Sequence, residues 1–297
     1  MSGELGVFVG LATLDVVHRV ERLAGANEKV TALRQDVAAG GPAANAAIVF
    51  AALGGRARLV TALGTTGVAR LIRAELEARG VEVVDVTPDA TTPPAVSAVT
   101  VTDNTGDRSV TSMDAAAHDV GAPTDLAQQL AGARVVLLDG HHPALALAAA
   151  RAVDGALVVL DAGRWRPVMA LLVDFVDVAI CSADFRTPGS AGIEESVVEL
   201  LDAGVRTVAT TQGGDPVRWW QPAPSGGTVS GSVPVPRVAV VDTLGAGDAF
   251  HGAFAWFALR HAADADPSGA LDAAARVAAL RCTIPGPRAW LAVLQNT

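Results

Sequence analysis

Apolar residues fall in short runs, each closed by a Gly-, Asp- or Ser-bearing turn and followed by an Ala- and Leu-rich stretch with helical spacing. The pattern predicts strands at 7–11, 58–62, 81–84, 134–138, 156–160, 176–180 and 207–211. It predicts helices from the Gly40-Gly41-Pro42 turn to about Leu53, then at 67–79, 143–153, 167–172, 194–203, 249–260 and 271–281. Strands that alternate with helices make a parallel sheet covered on both faces. A looser alternation marks pieces of 16–38, among them 29–33, and 96–102. After a hairpin turn at 103–107 it returns over 108–112, and together these predict a small side sheet. Segments 218–221 and 229–233 read as an antiparallel pair, Val238–Val241 as a buried strand, and 262–268 as a loop between helices. No linker, repeat or low-complexity stretch interrupts the chain, so one α/β unit over 1–297 is expected.

In such a fold ligands bind at the carboxyl ends of the strands. Asp15, Asp161, Asp184, Thr211 and Asp248 collect there. The junction Val241-Asp242-Thr243-Leu244-Gly245-Ala246-Gly247-Asp248 is the richest in chemistry. Its small residues leave the first amides of the next helix uncovered, and a helix start with bare N–H groups attracts anions. An acid at that position commonly only stabilises the helix dipole. Paired with an amide cradle, it is also placed to take a proton from a hydroxyl while the cradle holds a moving phosphoryl group. At the other junction, Asn45 inside a helix is a poor helix former. It reads either as a local hydrogen bond to the backbone or as an amide that meets a ligand.

Composition narrows the classes. The chain is 51% hydrophobic with net charge −9, against the basic face of a nucleic-acid binder. No apolar run spans a bilayer, and the N-terminal MSGELGVFVG lacks the charged start of a signal peptide, so a cytoplasmic protein without membrane partner is expected. Cys181 and Cys282 form no disulfide framework. Of the basic side chains, 21 are arginine and one is lysine, Lys29, which reads as a specific group or as a residue of a solvated loop. Lys29 lies in no P-loop or protein-kinase context, so phosphates must be met by another device. Adjacent His141 and His142 lack partners at ligand spacing and read as loop or substrate contacts rather than a metal site. Trp219-Trp220 reads as sheet packing, and the Gly245-x-Gly247 turn lacks the third glycine of a dinucleotide fingerprint.

Gly40-Gly41-Pro42-Ala43-Ala44-Asn45 and Asp242-Thr243-Leu244-Gly245-Ala246-Gly247-Asp248, in order and spacing, resemble the two signatures of the ribokinase-like, or PfkB, carbohydrate kinases. The resemblance covers essentially the whole chain. It implies a three-layer α/β sandwich, with a central mainly parallel sheet and a small β-lid at about 12–35 and 92–113. It implies transfer of the ATP γ-phosphoryl to a sugar hydroxyl, with Asp248 as base and Gly245, Ala246 and Gly247 as anion hole. Asp15, Gly41 and Asn45 would bind sugar hydroxyls. Thr211, Gly213 and Gly214 would lie by the ATP phosphates, and Ala278 and Cys282 by the adenine. Asp242 and Thr243 stand where some members hold a monovalent cation such as K+. The family's Asn-x-x-Glu segment, which helps organise Mg2+, is Cys181-Ser182-Ala183-Asp184 here: the acid is shortened and the Asn lost.

The opening Gly10-Leu11-Ala12-Thr13-Leu14-Asp15-Val16-Val17 resembles ketohexokinases. Val241–Phe254 and Leu280–Trp290 resemble bacterial sulfofructose kinases. Both imply a ketohexose-type substrate. Lys29 lies where the latter place a lysine near a sulfonate, but the expected arginine and asparagine are His141 and Ser112 here. Arg108 on the lid either supplies charge or is an exposed strand residue. The resemblance also implies a homodimer through the lid. A nucleoside or other small-molecule kinase, or a non-catalytic sugar or nucleotide sensor, stand as alternatives on the same fold.

Overall fold

The computed structural model describes residues 3–103, 105–115, 120–261 and 266–296. Asn104 of the expected hairpin turn and 262–265 of the expected helix–helix loop lie outside the described residues. In chain order the elements are β1 (Leu5–Val9), β2 (Thr13–Val20), β3 (Arg34–Gly40), α1 (Pro42–Ala52), β4 (Arg56–Thr61), α2 (Gly67–Ala78), β5 (Val81–Asp85), β6 (Val96–Thr102) and β7 (Arg108–Thr111). They continue with α3 (Leu126–Leu130), β8 (Val135–Leu138), α4 (Pro143–Ala152), β9 (Leu157–Ala162), α5 (Met169–Leu172), β10 (Val178–Ser182), α6 (Ile193–Asp202), β11 (Thr207–Thr211), β12 (Val217–Pro222) and β13 (Thr228–Val233). The last helices are α7 (Ala246–Ala258), α8 (Ser268–Cys282) and α9 (Leu291–Leu294).

The main sheet runs β13-β12-β11-β10-β9-β8-β1-β4-β5. It is parallel from β11 to β5, with β12 and β13 added antiparallel. Its central strands are apolar on both sides because both sides are covered: Val135 to Leu138 are all fully buried. One core, with Phe8, Phe50 and Phe254, packs α1, α2, α7 and α8 on one face; the other, with Val7, Val9, Leu138 and Leu145, packs α3 to α6 on the opposite face. Alternation along β1 sends Phe8 to the first and Val7 and Val9 to the second.

The side sheet, β3-β2-β6-β7, forms a lid. The expected strand at 29–33 is loop, and the pairing strand is β3, where alternating Arg34, Asp36 and Ala38 face opposite ways from Gln35, Val37 and Ala39. Val238–Val241 is not the buried strand expected from its composition; it is exposed, non-strand chain. After Val233 the chain leaves the sheet edge, and the Val241 and Asp242 amides donate to the Cys282 carbonyl at the end of α8 (2.8 and 3.2 Å) instead of to a strand. The short helices α3 and α9 carry too few turns to show a periodicity in sequence.

Candidate functional site

The site lies where the carboxyl ends of β1 and its neighbours meet the starts of α1 and α7. Gly245 is the N-cap of α7 with φ 72°, a left-handed conformation that a side chain would strain. That bend turns the chain from the irregular Val241–Leu244 segment into the helix, at its first amides. Ala246 N–H closes on the Thr243 carbonyl (3.2 Å). The next residue, Gly247, is exposed and has open space where a Cβ would stand. Asp248 occupies the first turn. Asn45 on α1 donates to Asp248 Oδ2 at 2.7 Å. The two helices come close enough for this because α7 crosses α1 at Gly252: a Cβ there would stand 2.3 Å from the Ala46 carbonyl.

Asn45 is itself held. Its Oδ1 accepts from Arg288 Nη1 at 3.1 Å, which fixes the amide so that the NH2 faces Asp248. The half-buried Arg288 also donates from Nε to Glu75 Oε1 (2.8 Å) and from Nη2 to the Ala39 carbonyl, while Glu75 Oε2 accepts the Ala39 amide (2.6 Å). Burial pulls the Arg288 guanidinium down, against the Glu75 charge. Opposite, Asp15 on β2 accepts from the Thr13 hydroxyl at 2.6 Å, and burial pushes its carboxyl up. Asp15, Asn45, Leu244, Gly245 and Arg288 line one pocket between lid and helix start. Gly41, the N-cap of α1, stands beside Leu11.

A second cluster borders that floor. Buried Asp139, after β8, accepts amides from Leu11 (2.9 Å), Ala43 (3.2 Å) and His141 (2.9 Å). Burial works to raise its carboxyl, but the His141 charge and these donors outweigh it and hold it at about 2. His141 Nδ1 lies 3.2 Å from Asp139 Oδ1, and Nε2 lies 3.1 Å from Asp114 Oδ1. Burial alone would lower the imidazole; the two carboxylates overcome it and raise it to about 9. Asp114, bonded by His141 and by Arg166 (3.1 Å), sits well below the usual carboxylate range. Two cations thus meet two carboxylates.

The remaining expected residues are spread more widely. Lys29 is exposed on the loop between β2 and β3. Ser112 is exposed past β7, with its Oγ 3.3 Å from that of Ser97. Arg108 on β7 donates to Thr243 Oγ1 (2.8 Å). Asp242, 2% exposed, meets Arg19 and Arg281, each at 3.4 Å. Asp184 is exposed past β10, its amide on Ser182 Oγ (3.2 Å). Thr211, half-buried, ends β11 and exposed Gly213 and Gly214 follow it; Thr211 and Gln212 border a cavity of about 590 Å³. Ala278 and Cys282, both half-buried, lie on α8. Asp161 is fully packed at the end of β9, where burial raises its carboxyl against the pull of His251, 3.5 Å away.

Arg288, Glu75, Asp139, Asp114 and Arg166 had no assigned role in the sequence reading. Arg288 lies in a stretch the family resemblance had quoted, yet nothing in its spacing marks it as facing Asn45, 243 residues earlier.

A helix start and carboxylate beneath a β-lid, on a doubly covered parallel sheet, define the class as an α/β enzyme of the ribokinase-like type. The chain belongs to the pfkB family of carbohydrate kinases, whose pattern matches residues 4–292; it is an ATP-dependent sugar phosphotransferase. Similar solved structures include a putative ribokinase from Agrobacterium tumefaciens (24% identity, TM-score 0.81, covering 99% of this chain and 98% of that one). A ribokinase from Arabidopsis thaliana, complexed with ribose and ATP, is 25% identical (TM-score 0.77, 99% of both chains). A fructokinase from Xylella fastidiosa with bound ATP is 20% identical (TM-score 0.75, 98% of both). Among the described residues no helix is long and apolar enough to cross a membrane.

Proposed function

We propose that this kinase phosphorylates a primary hydroxyl of a ketohexose-type sugar, with Asp248 removing the hydroxyl proton as the phosphoryl group arrives. The observation that carries this reading is the 2.7 Å bond from Asn45 that holds Asp248 beside the left-handed turn at Gly245. The amides of Gly245, Ala246 and Gly247 then face the charge that develops on the transferring group. Ala246 releases its 3.2 Å turn bond to do so. Catalysis of this kind is positioning plus charge stabilisation.

Asp15, Gly41 and Asn45 take the sugar hydroxyls. Thr211, Gly213 and Gly214 take the ATP phosphates, and Ala278 and Cys282 border the base. Mg2+ suits the exposed carboxylate of Asp184, a hard oxygen donor that leaves water on the ion; when bound it screens the phosphate charge. Lys29, Arg108, Ser112 and His141 rim the sugar side. Against a sulfonated sugar stands the His141 cluster, whose cationic His141 and Arg166 already meet Asp114 and Asp139. A neutral ketose is therefore favoured.

The outer face of the lid carries Val37 and Val96, 50% and 41% exposed, and we assign it to a second copy of the chain. Unpaired Cys181 and Cys282 fit a reducing cytoplasm.

A coupled ADP-release screen over neutral ketoses, sulfonated ketoses, aldoses and nucleosides tests the reading. The highest kcat/KM is expected for a neutral ketose. A nucleoside or aldose preferred by about tenfold or more would replace it.

A further inference from the structure

Three arginines converge on the Val241–Thr243 turn, Arg19 and Arg108 from the lid and Arg281 from α8, and a fourth, Arg34 of the lid, stands beside them paired to Asp36. Arg19 opposes Arg34 across β2 and β3 and pairs beside Val101, which opposes Arg108, so all three share the inner face. Arg19 Nη1 donates to the Val241 carbonyl and to Asp103 Oδ1, both at 3.3 Å. Its Nη2 lies 3.4 Å from Asp242 Oδ2, and Arg281 Nη2 from α8 lies 3.4 Å from the same oxygen. Arg281 Nη1 donates to the Ile284 carbonyl at 3.1 Å. Asp242 also accepts the amides of Leu244 and Gly286, each at 3.0 Å. Arg108 takes Thr243 Oγ1, and the Arg34 guanidinium stands against Gly286.

This donor set does not fit the monovalent cation that the family resemblance puts at Asp242 and Thr243. The Asp242 carboxylate, Thr243 Oγ1 and the Val241 and Ile284 carbonyls each accept from an arginine already. A cation among them would face two guanidinium groups in a buried setting where like charges are poorly screened. The arginines answer a definite need, since a buried carboxylate without a countercharge is strongly destabilising.

Resting on the kinase reading above, we propose that the guanidinium groups of Arg19 and Arg281 stand in for a monovalent cation at Asp242, so that turnover requires none. Because Arg19 belongs to β2, the same contact ties the lid to the loop that sets Gly245 in place.

The test is ADP release at saturating sugar and MgATP, with tetramethylammonium as the sole added monovalent cation and then with K+ at equal ionic strength. Turnover equal within about twofold is expected, and a rise of about tenfold or more with K+ overturns the proposal. A second readout needs no reaction: the thermal-unfolding midpoint of the wild-type chain should coincide in the two salts. A stabilisation specific to K+ overturns the proposal. Arg19→Met opens a gap at Asp242 and should make the midpoint K+-responsive; indifference to K+ there counts against Arg19 as the stand-in. If no sugar yields ADP in either salt, it is the kinase reading that fails, and the midpoints still decide the cation question.

Discussion

At the scale of single residues, the site is a chain of hydrogen bonds ending on one carboxylate. Glu75 orients Arg288, Arg288 orients the Asn45 amide, and Asn45 orients Asp248. An amide can flip with little change in shape, and the acceptor role forced on Oδ1 by the Arg288 cation reinforces the demand of the Asp248 carboxylate for the NH2 end. Arg288→Met should therefore lower kcat by about tenfold or more while the KM for ATP stays near its wild-type value. Steady-state kinetics on the folded variant check this; an unchanged kcat would remove Arg288 from the positioning chain.

His141 gives a stability prediction with a definite sign. Its folded value, about 9, lies above the ordinary 6.5. The stabilisation from its charge is thus complete below about pH 6.5, fades as pH rises, and is gone above about pH 9. Asp139 and Asp114 act oppositely, contributing above the ordinary 3.8 and losing their contribution only as pH falls through their depressed folded values. Unfolding midpoints measured between about pH 6 and pH 10 should fall for the wild type and fall less for His141→Gln. Parallel slopes would contradict the assignment.

At the scale of elements, the crossing of α1 and α7 decides how near Asn45 comes to Asp248. Gly252 permits it, since a Cβ there would meet the Ala46 carbonyl at 2.3 Å. Gly252→Ala should destabilise the fold by about 1–3 kcal/mol through overpacking and lower turnover as the helices separate, measured by denaturant unfolding and ADP release together. A neutral outcome on both would mean the helices reseat freely. The lid is the other deciding element. Val37→Asp on its outer face should shift the proposed dimer to monomer in sedimentation analysis, and a wild-type chain that sediments as a monomer would refute the lid interface.

At the scale of the whole molecule, the alternation of apolar runs with helical stretches made the layered parallel sheet legible, because buried parallel strands must be apolar on both sides. The glycine bend that opens α7 was legible for a local reason, as Gly245 to Asp248 carry the needed flexibility and acid within four consecutive residues. What stayed hidden is long-range. Arg288 and Asn45, or Arg19 and Asp242, are joined only by the fold, and no local spacing announces them. Val238–Val241 misled because its composition is that of a strand, whereas the Val241 amide bonds to a helix end. Lys29, singled out as the lone lysine, lies exposed on a lid loop.

The central claim is that the carboxylate of Asp248 deprotonates the sugar while the turn at Gly245 holds the phosphoryl charge. Turnover of Asp248→Asn, compared with wild type on the sugar found by the screen, tests it most directly, with ATP binding followed in parallel by calorimetry. The account predicts a loss of about two to four orders of magnitude in kcat with ATP affinity largely kept; a variant that turns over like the wild type would contradict it.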